Sequence, residues 1–439
     1  MNRSFSYIEV ILVFAATLLP LMSAIAGGFP LAAAIIPGLL TLGIITKRKQ
    51  VSWNDLYKAV KKGLHRNRNV AWLLVFIGIL LPTWGMAGTI EDLNTLFLTF
   101  LSREHFLTLA FLITGLMSFT VGSAVGSLSI VGIPLMSAGL TLGMPDVLIA
   151  GALVSGAFVG DRSSPLSSSF QLLAFSTELS IREHLRTITP TMLITVSATA
   201  GVFFFIDLLT ADGNGAITAV EAVSWSSASI SLIPPLLLLV MIFLGKEMKT
   251  SFLTAIAAAG VILLLRGSGP LEWIQGAFWG VESLNGLVDM LPFVIFILIV
   301  GAYCQIIEET GMLQPFLERV FTNTTSLTKN TAQTIGVAGG VSLLSPNQSF
   351  PILLTGRALL PHWEKHFQKR LLARTLADST VVFAGMVPWS LLAILCSTIL
   401  GVPVLYYLPA AVFLWLSPVV TLLYSWLITQ RMVRKSKFE

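Results

Sequence analysis

Residues 156–169 read GAFVGDRSSPLSSS, with apolar sequence on both sides. Asp161 stands there beside Arg162, five serines and Pro165. Oxygens at this density suit one chemistry, the holding of a hard cation such as sodium. The same carboxyl takes a proton when the cation leaves. Burial favours the neutral form of a carboxyl and a nearby cation favours the charged form, so two ions compete for one group. A carboxylate at bilayer depth costs about 2.5–3.5 kcal/mol on insertion scales and persists where it faces protein or water and has work to do. The competing reading is a fixed ion pair of Asp161 with Arg162, or with another Arg, at a helix end.

Two further polar islands follow. RTLADSTVVFAGMVPW, residues 374–389, places Asp378, Ser379 and Thr380 ahead of Pro388. Arg374 precedes Asp378 by four residues, one helical turn on the same face, so a structural pair competes with an ion-binding role there. SPNQSFPILLTG, residues 345–356, sets Asn347, Gln348, Ser349 and Thr355 between Pro346 and Pro351. It reads either as an unwound segment whose amide oxygens coordinate a cation or as a polar surface loop. The candidate ion-binding set is Asp161 and Asp378 as sodium ligands, with Ser155, Ser164, Ser167, Ser168, Thr120, Ser127, Asn347, Ser349, Thr355, Ser379 and Thr380. Arg162 and Arg374 are the charge partners.

These groups need elements that expose backbone. Pro165, with Gly151, Gly156 and Gly160, predicts a broken helix across 151–169, because Pro removes an N–H and clashes with the preceding turn. A broken helix leaves free carbonyls and N–H groups that hydroxyls, water or an ion must satisfy. The pattern recurs. TVGSAVGSLSI at 120–130 matches TIGVAGGVSLL at 334–344 in Thr, Gly, Ala and Gly at an offset of 214, and the two acids follow at an offset of 217. Paired short segments interrupted by Gly and Pro mark secondary transporters built from inverted repeats. The expected division is an N-terminal helical hairpin and basic loop (1–69), a first repeat (70–208), an external linker (209–226), a second repeat (227–429) and a cytoplasmic tail (430–439).

Composition supplies the solvent. Of 439 residues, 55% are hydrophobic and 11% charged, against roughly 25% charged in a soluble domain. Mean hydropathy is +0.84. The chain is expected to be an all-α polytopic membrane protein of about 10–12 transmembrane helices with discontinuous or re-entrant segments. Its net charge of +5 gathers in loops rather than in a nucleic-acid face. Residues 47–68 hold eight Lys and Arg against Asp55, and the tail adds four more, which places both termini in the cytoplasm. The loop 207–223, with three acids and no Lys or Arg, is expected outside. The apolar N-terminal stretch reads as a retained span rather than a signal peptide. No GxxxxGK[ST] loop occurs, so ATP-driven pumping is not expected. Cys304 and Cys396 read as inert buried thiols. Glu308 and Glu309 mark an interfacial span end, and His184 reads as a surface histidine or a cytoplasmic pH sensor.

Residues 120–167, from TVGSAVGS to GDRSSPLS, and 371–418, from LLARTLADSTVVFAGMVPW to FLWLSP, resemble the two signature regions of NhaC-type sodium/proton antiporters. GILLPTWGMAGTI at 78–90 and NQSFPILLTG are similar to two further stretches of that family, and the likeness runs from about residue 70 to 420. The resemblance implies ion-coupled transport on an inverted-repeat fold, in a family that also exchanges organic acids and amino acids. The chain departs from the pattern at two acidic positions, where Ser168 and Ala377 stand instead.

The expected function is therefore secondary active sodium/proton antiport by alternating access, not enzyme catalysis. The alternative is a sodium- or proton-coupled carrier of a small organic acid or amino acid, with Arg162 and Arg374 gripping a carboxylate. A channel or membrane scaffold is the third reading. Expected partners are sodium ions, protons and the lipid bilayer of a bacterial cell membrane, with a homodimer also considered and no nucleic acid. No cofactor is expected beyond the transported ions.

Overall fold

The computed structural model describes residues 5–210, 230–281, 284–313, 326–345 and 347–435, with side chains to residue 430. The expected linker 209–226 falls almost wholly outside these residues, as do Pro346 and the side chains of the basic tail.

The described chain is helical, and its one β feature is the isolated bridge Val281–Leu284. Nine described helices are long and apolar enough to cross a bilayer. The pair Leu391–Leu400 and Val404–Ala410, bent by 90°, makes ten, the lower end of the expected range. Helix Asp146–Ser163 carries the first polar island and lies inside the bundle, so it need not be lipid-compatible. Asp146–Ser163 is buried without interruption from Ile149 to Ser163. A helix that polar survives only when protein surrounds it.

Helix Asp146–Ser163 packs along Phe106–Val121, and small residues set the spacing. A Cβ on Gly160 would fall 2.0 Å from the backbone carbon of Ser118, and one on Gly156 would fall 2.5 Å from the Phe111 carbonyl oxygen. Gly156 and Gly160 therefore do not break the helix, as the sequence reading expected. They let two backbones meet, as small residues do between membrane helices. The break comes later, at Ser164–Ser167, where Pro165 sits, and Ser168–Ser176 follows.

Helix Trp53–Met86 spans 34 residues and runs through the expected boundary at residue 69. It packs along Leu287–Thr310, with Gly63 against Gly301 at backbone contact. Its basic end is tied down by Lys62–Glu309 at 2.9 Å and Arg66–Glu308 at 2.7 Å. The N-terminal helices Tyr7–Gly27 and Ile36–Arg48 join the same group, Thr17 hydrogen-bonding Tyr303 at 2.9 Å. Asp207, expected in a solvated loop, is instead buried at the end of helix Ile181–Thr210. It accepts the Leu107 and Thr108 N–H groups, each at 2.9 Å, and so caps the N-terminus of Phe106–Val121.

Candidate ion-binding site

Both acids sit at the C-terminal end of an interrupted helix. Asp161 is in the last turn of Asp146–Ser163, and Asp378 directly follows Lys369–Ala377. A helix C-terminus is the negative end of the macrodipole. A carboxylate there needs a cation or a proton, and the two acids meet that need differently.

Asp378 has an arginine. Arg162 donates from Nε to Asp378 Oδ1 at 2.6 Å and pairs with the same oxygen through Nη2. Nη2 also reaches Thr191 Oγ1 at 3.0 Å. Both side chains are fully buried. Arg374, the expected partner one turn earlier, instead donates to Ser425 Oγ at 3.0 Å and lies over the Tyr424 ring at 4.6 Å. Asp378 still continues the helical turn, its N–H bonding the Arg374 carbonyl at 3.0 Å, but the two side chains make no ion pair because the Arg374 guanidinium is drawn to Ser425 and Tyr424.

Asp161 has no arginine or lysine among the described residues. Its neighbour Arg162 points elsewhere, since adjacent helical residues do not share a face. Pro165 occupies the position whose N–H would bond the Asp161 carbonyl. That carbonyl is taken instead by Ser167 Oγ at 2.7 Å. The same Ser167 oxygen caps Ser168–Ser176, accepting from the N–H groups of Ser169 and Phe170. A hydroxyl carries one proton, and Ser167 spends it on the backbone. Its 3.4 Å approach to Asp161 Oδ1 is a weak contact. Ser169 likewise gives its proton to Gln348 Oε1 at 2.6 Å, leaving long contacts of 3.3 and 3.5 Å to the Asp161 carboxyl. One strong hydrogen bond remains, from Gln348 Nε2 to Asp161 Oδ2 at 2.7 Å. Asp161 is 6% exposed, so one of the chain's most enclosed carboxyls is also poorly satisfied, a state that invites a proton or a metal ion.

Gln348 closes the site from the other half. It ends the interruption between helices Leu327–Leu344 and Ser349–His366 and also donates to the Val381 carbonyl at 3.1 Å. That carbonyl is free because the N–H groups of both Ala384 and Gly385 go to Val382. Asn347 ties the same segment to helix Trp53–Met86, its Nδ2 donating to Asn67 Oδ1 at 2.7 Å, and its Oδ1 accepts from the Ser349 N–H.

The other expected ligands are placed as follows. Ser379 bonds the Thr375 carbonyl and Thr380 Oγ1 is buried without a described partner. Ser164 accepts from the Leu166 N–H and Ser168 is exposed. Thr120, Ser127 and Thr355 donate to backbone carbonyls three or four residues back, and Ser155 accepts from the Phe413 N–H. Gln348 and Ser169, outside the expected ligand set, approach the Asp161 carboxyl at 2.7 and 3.3 Å, closer than Ser167 at 3.4 Å. Gln348 is 187 positions from Asp161, beyond any periodicity; its polar island was the only signal. His184, expected at the surface, is buried against Phe170 at 4.5 Å. Cys304 and Cys396 are free and buried. Among the described residues no three His, Cys, Asp or Glu side chains cluster, so the donors around Asp161 are neutral oxygens, which suit a hard monovalent cation.

Residues 214–427 match the model of the Na+/H+ antiporter family. Curated relatives span nearly the whole chain. The Na+/H+ antiporter NhaC of Bacillus subtilis is 26% identical over 392 residues, 84% of this chain and 86% of the relative. The malate-2H+/Na+-lactate antiporter of the same species is 28% identical, covering 86% and 84%. The arginine/ornithine antiporter ArcD of Halobacterium salinarum is 26% identical, covering 85% and 81%.

Proposed function

The chain belongs to the NhaC-type Na+/H+ antiporter family, and from that premise we propose that it exchanges one sodium ion for one proton at Asp161. The observation that carries the proposal is the unequal treatment of two buried acids. Asp378 is committed to Arg162. Asp161 is enclosed, lacks a cationic partner among the described residues and has one strong hydrogen bond. Sodium bound at Asp161 neutralises it, a proton does the same, and the two exclude each other. Net movement follows if the protein opens to one side with sodium and to the other with the proton, the two interrupted-helix halves rocking about the site as repeats in such transporters do. Asp378 and Arg162 hold the halves together as a fixed pair.

The test is sodium-pulse-driven proton movement in proteoliposomes. Asp161→Asn is expected to abolish it in protein that still folds; retained exchange overturns the reading.

A second reading rests on the buried arginines. Arg162 Nη1 and Arg374 Nε have no described partner, and guanidinium groups bind carboxylates well. Exchange of a small organic acid or amino acid would use them. Uptake of labelled hydroxy acids and amino acids, driven by a sodium gradient, separates this reading from sodium/proton exchange.

A further inference from the structure

We propose that the Gln348 carboxamide is a built-in stand-in for the transported cation, and that the place its Nε2 occupies is the sodium site. This rests on the sodium/proton reading and names the ligands it left open. Nε2 lies between two oxygens that nothing else among the described residues strongly satisfies, Asp161 Oδ2 at 2.7 Å and the Val381 carbonyl at 3.1 Å. One oxygen comes from the interrupted helix of each half. Which end of the amide faces them follows from chemistry, because both partners are acceptors and only the NH2 end donates. A partially positive amide between a carboxylate and a freed carbonyl occupies the spot where a small cation gains most. Sodium entering there displaces the NH2 group. Rotation of the amide then presents Oε1 to the ion, while Ser169, already 2.6 Å from Oε1, turns its own oxygen toward the site. Asp161 Oδ2, Val381 O, Gln348 Oε1 and Ser169 Oγ form the cation's first four ligands. When the ion leaves, the amide swings back and satisfies both oxygens, so the halves stay joined without the ion.

Gln348 is thus a selectivity residue, and its conservative replacements should move affinity in opposite directions. The experiment is equilibrium binding of radioactive sodium to the purified full chain, with lithium and potassium as competitors, for wild type, Gln348→Met and Gln348→Glu. Loss of one charge-assisted oxygen contact in Gln348→Met is expected to weaken sodium about tenfold and to alter the order of sodium, lithium and potassium. Gln348→Glu, which puts an oxygen where the NH2 stood, is expected to tighten sodium about tenfold. A merely structural role changes folded yield without opposed shifts in affinity. Variants that both bind within twofold of wild type, with unchanged ion order, overturn the proposal; if Gln348→Met does not fold, Gln348→Glu decides alone. Proton flux in the same preparations keeps the two claims apart. Protein that binds sodium through Gln348 but moves no protons overturns the antiport reading and leaves the cation site standing. Protein that exchanges both ions with unchanged variants overturns the cation site only.

Discussion

Arg162 Nε donates to Asp378 Oδ1 at 2.6 Å across 216 positions of sequence, both side chains fully buried, while its own neighbour Asp161 has no arginine or lysine partner among the described residues. On the proposed mechanism this one pair leaves Asp161, rather than Asp378, available to a travelling ion. It also joins the two halves at the level where both helices are interrupted.

Removing one member of that pair leaves a buried charge without its partner. Asp378→Asn and Arg162→Gln are each expected to destabilise the detergent-solubilised protein by about 3–5 kcal/mol. The double variant should recover much of that loss, since neither charge remains. Thermal unfolding of all three checks this. Additive losses in the double variant would mean that the two side chains act independently.

If Asp378 is neutralised by Arg162 as proposed, one carboxylate carries one ion in each direction. Exchange is therefore expected to be electroneutral. A potassium diffusion potential imposed with valinomycin should leave the rate of sodium-driven proton movement unchanged in proteoliposomes. A rate that tracks the imposed potential contradicts a single exchanging carboxylate.

Gly160 permits the closest backbone approach at the buried helix. Gly160→Ala would place a Cβ 2.0 Å from the Ser118 backbone, and is expected to cost about 1–3 kcal/mol or more through overpacking. Gly201→Ala, where a Cβ meets nothing within 4 Å, is the control, expected to be stabilising by about 0.5–1 kcal/mol in a helix interior. Thermal midpoints compare the two; equal effects would remove the packing role of Gly160.

Asp207 is a second kind of membrane acid, a cap rather than a carrier. Asp207→Ala leaves the buried Leu107 and Thr108 N–H groups without their acceptor and is expected to cost about 1–3 kcal/mol. Sodium dependence of exchange in the folded fraction should stay at the wild-type value. A changed apparent KM for sodium would give Asp207 a part in transport.

The spans were legible because lipid demands long apolar runs, and the break after Ser163 was legible because Pro165 cannot give the N–H that the Asp161 carbonyl needs. Asp161 and Asp378 stood out for the same reason, as acids in apolar surroundings. Their partners did not. Adjacency suggested Arg162 for Asp161, and helical spacing suggested Arg374 for Asp378, yet neighbours on a helix do not share a face, and both arginines are claimed by groups distant in sequence: Arg162 by Asp378 and Thr191, Arg374 by Ser425 and Tyr424. Gln348 reaches Asp161 through tertiary packing alone. Gly156 and Gly160 looked like breakers because their Cβ-free surface has two uses, and only the neighbouring helix Phe106–Val121 shows that contact is the one in force.

The most direct test of the account is a proton count. Sodium chloride is added to purified protein in weakly buffered detergent solution below the pH at which Asp161 loses its proton unaided, and released protons are measured per chain. Wild type is expected to release about one proton per chain, the folded Arg162→Gln, Asp378→Asn double variant to release the same, and Asp161→Asn to release none. Undiminished release from Asp161→Asn would contradict the claim that this carboxyl is where sodium and proton trade places.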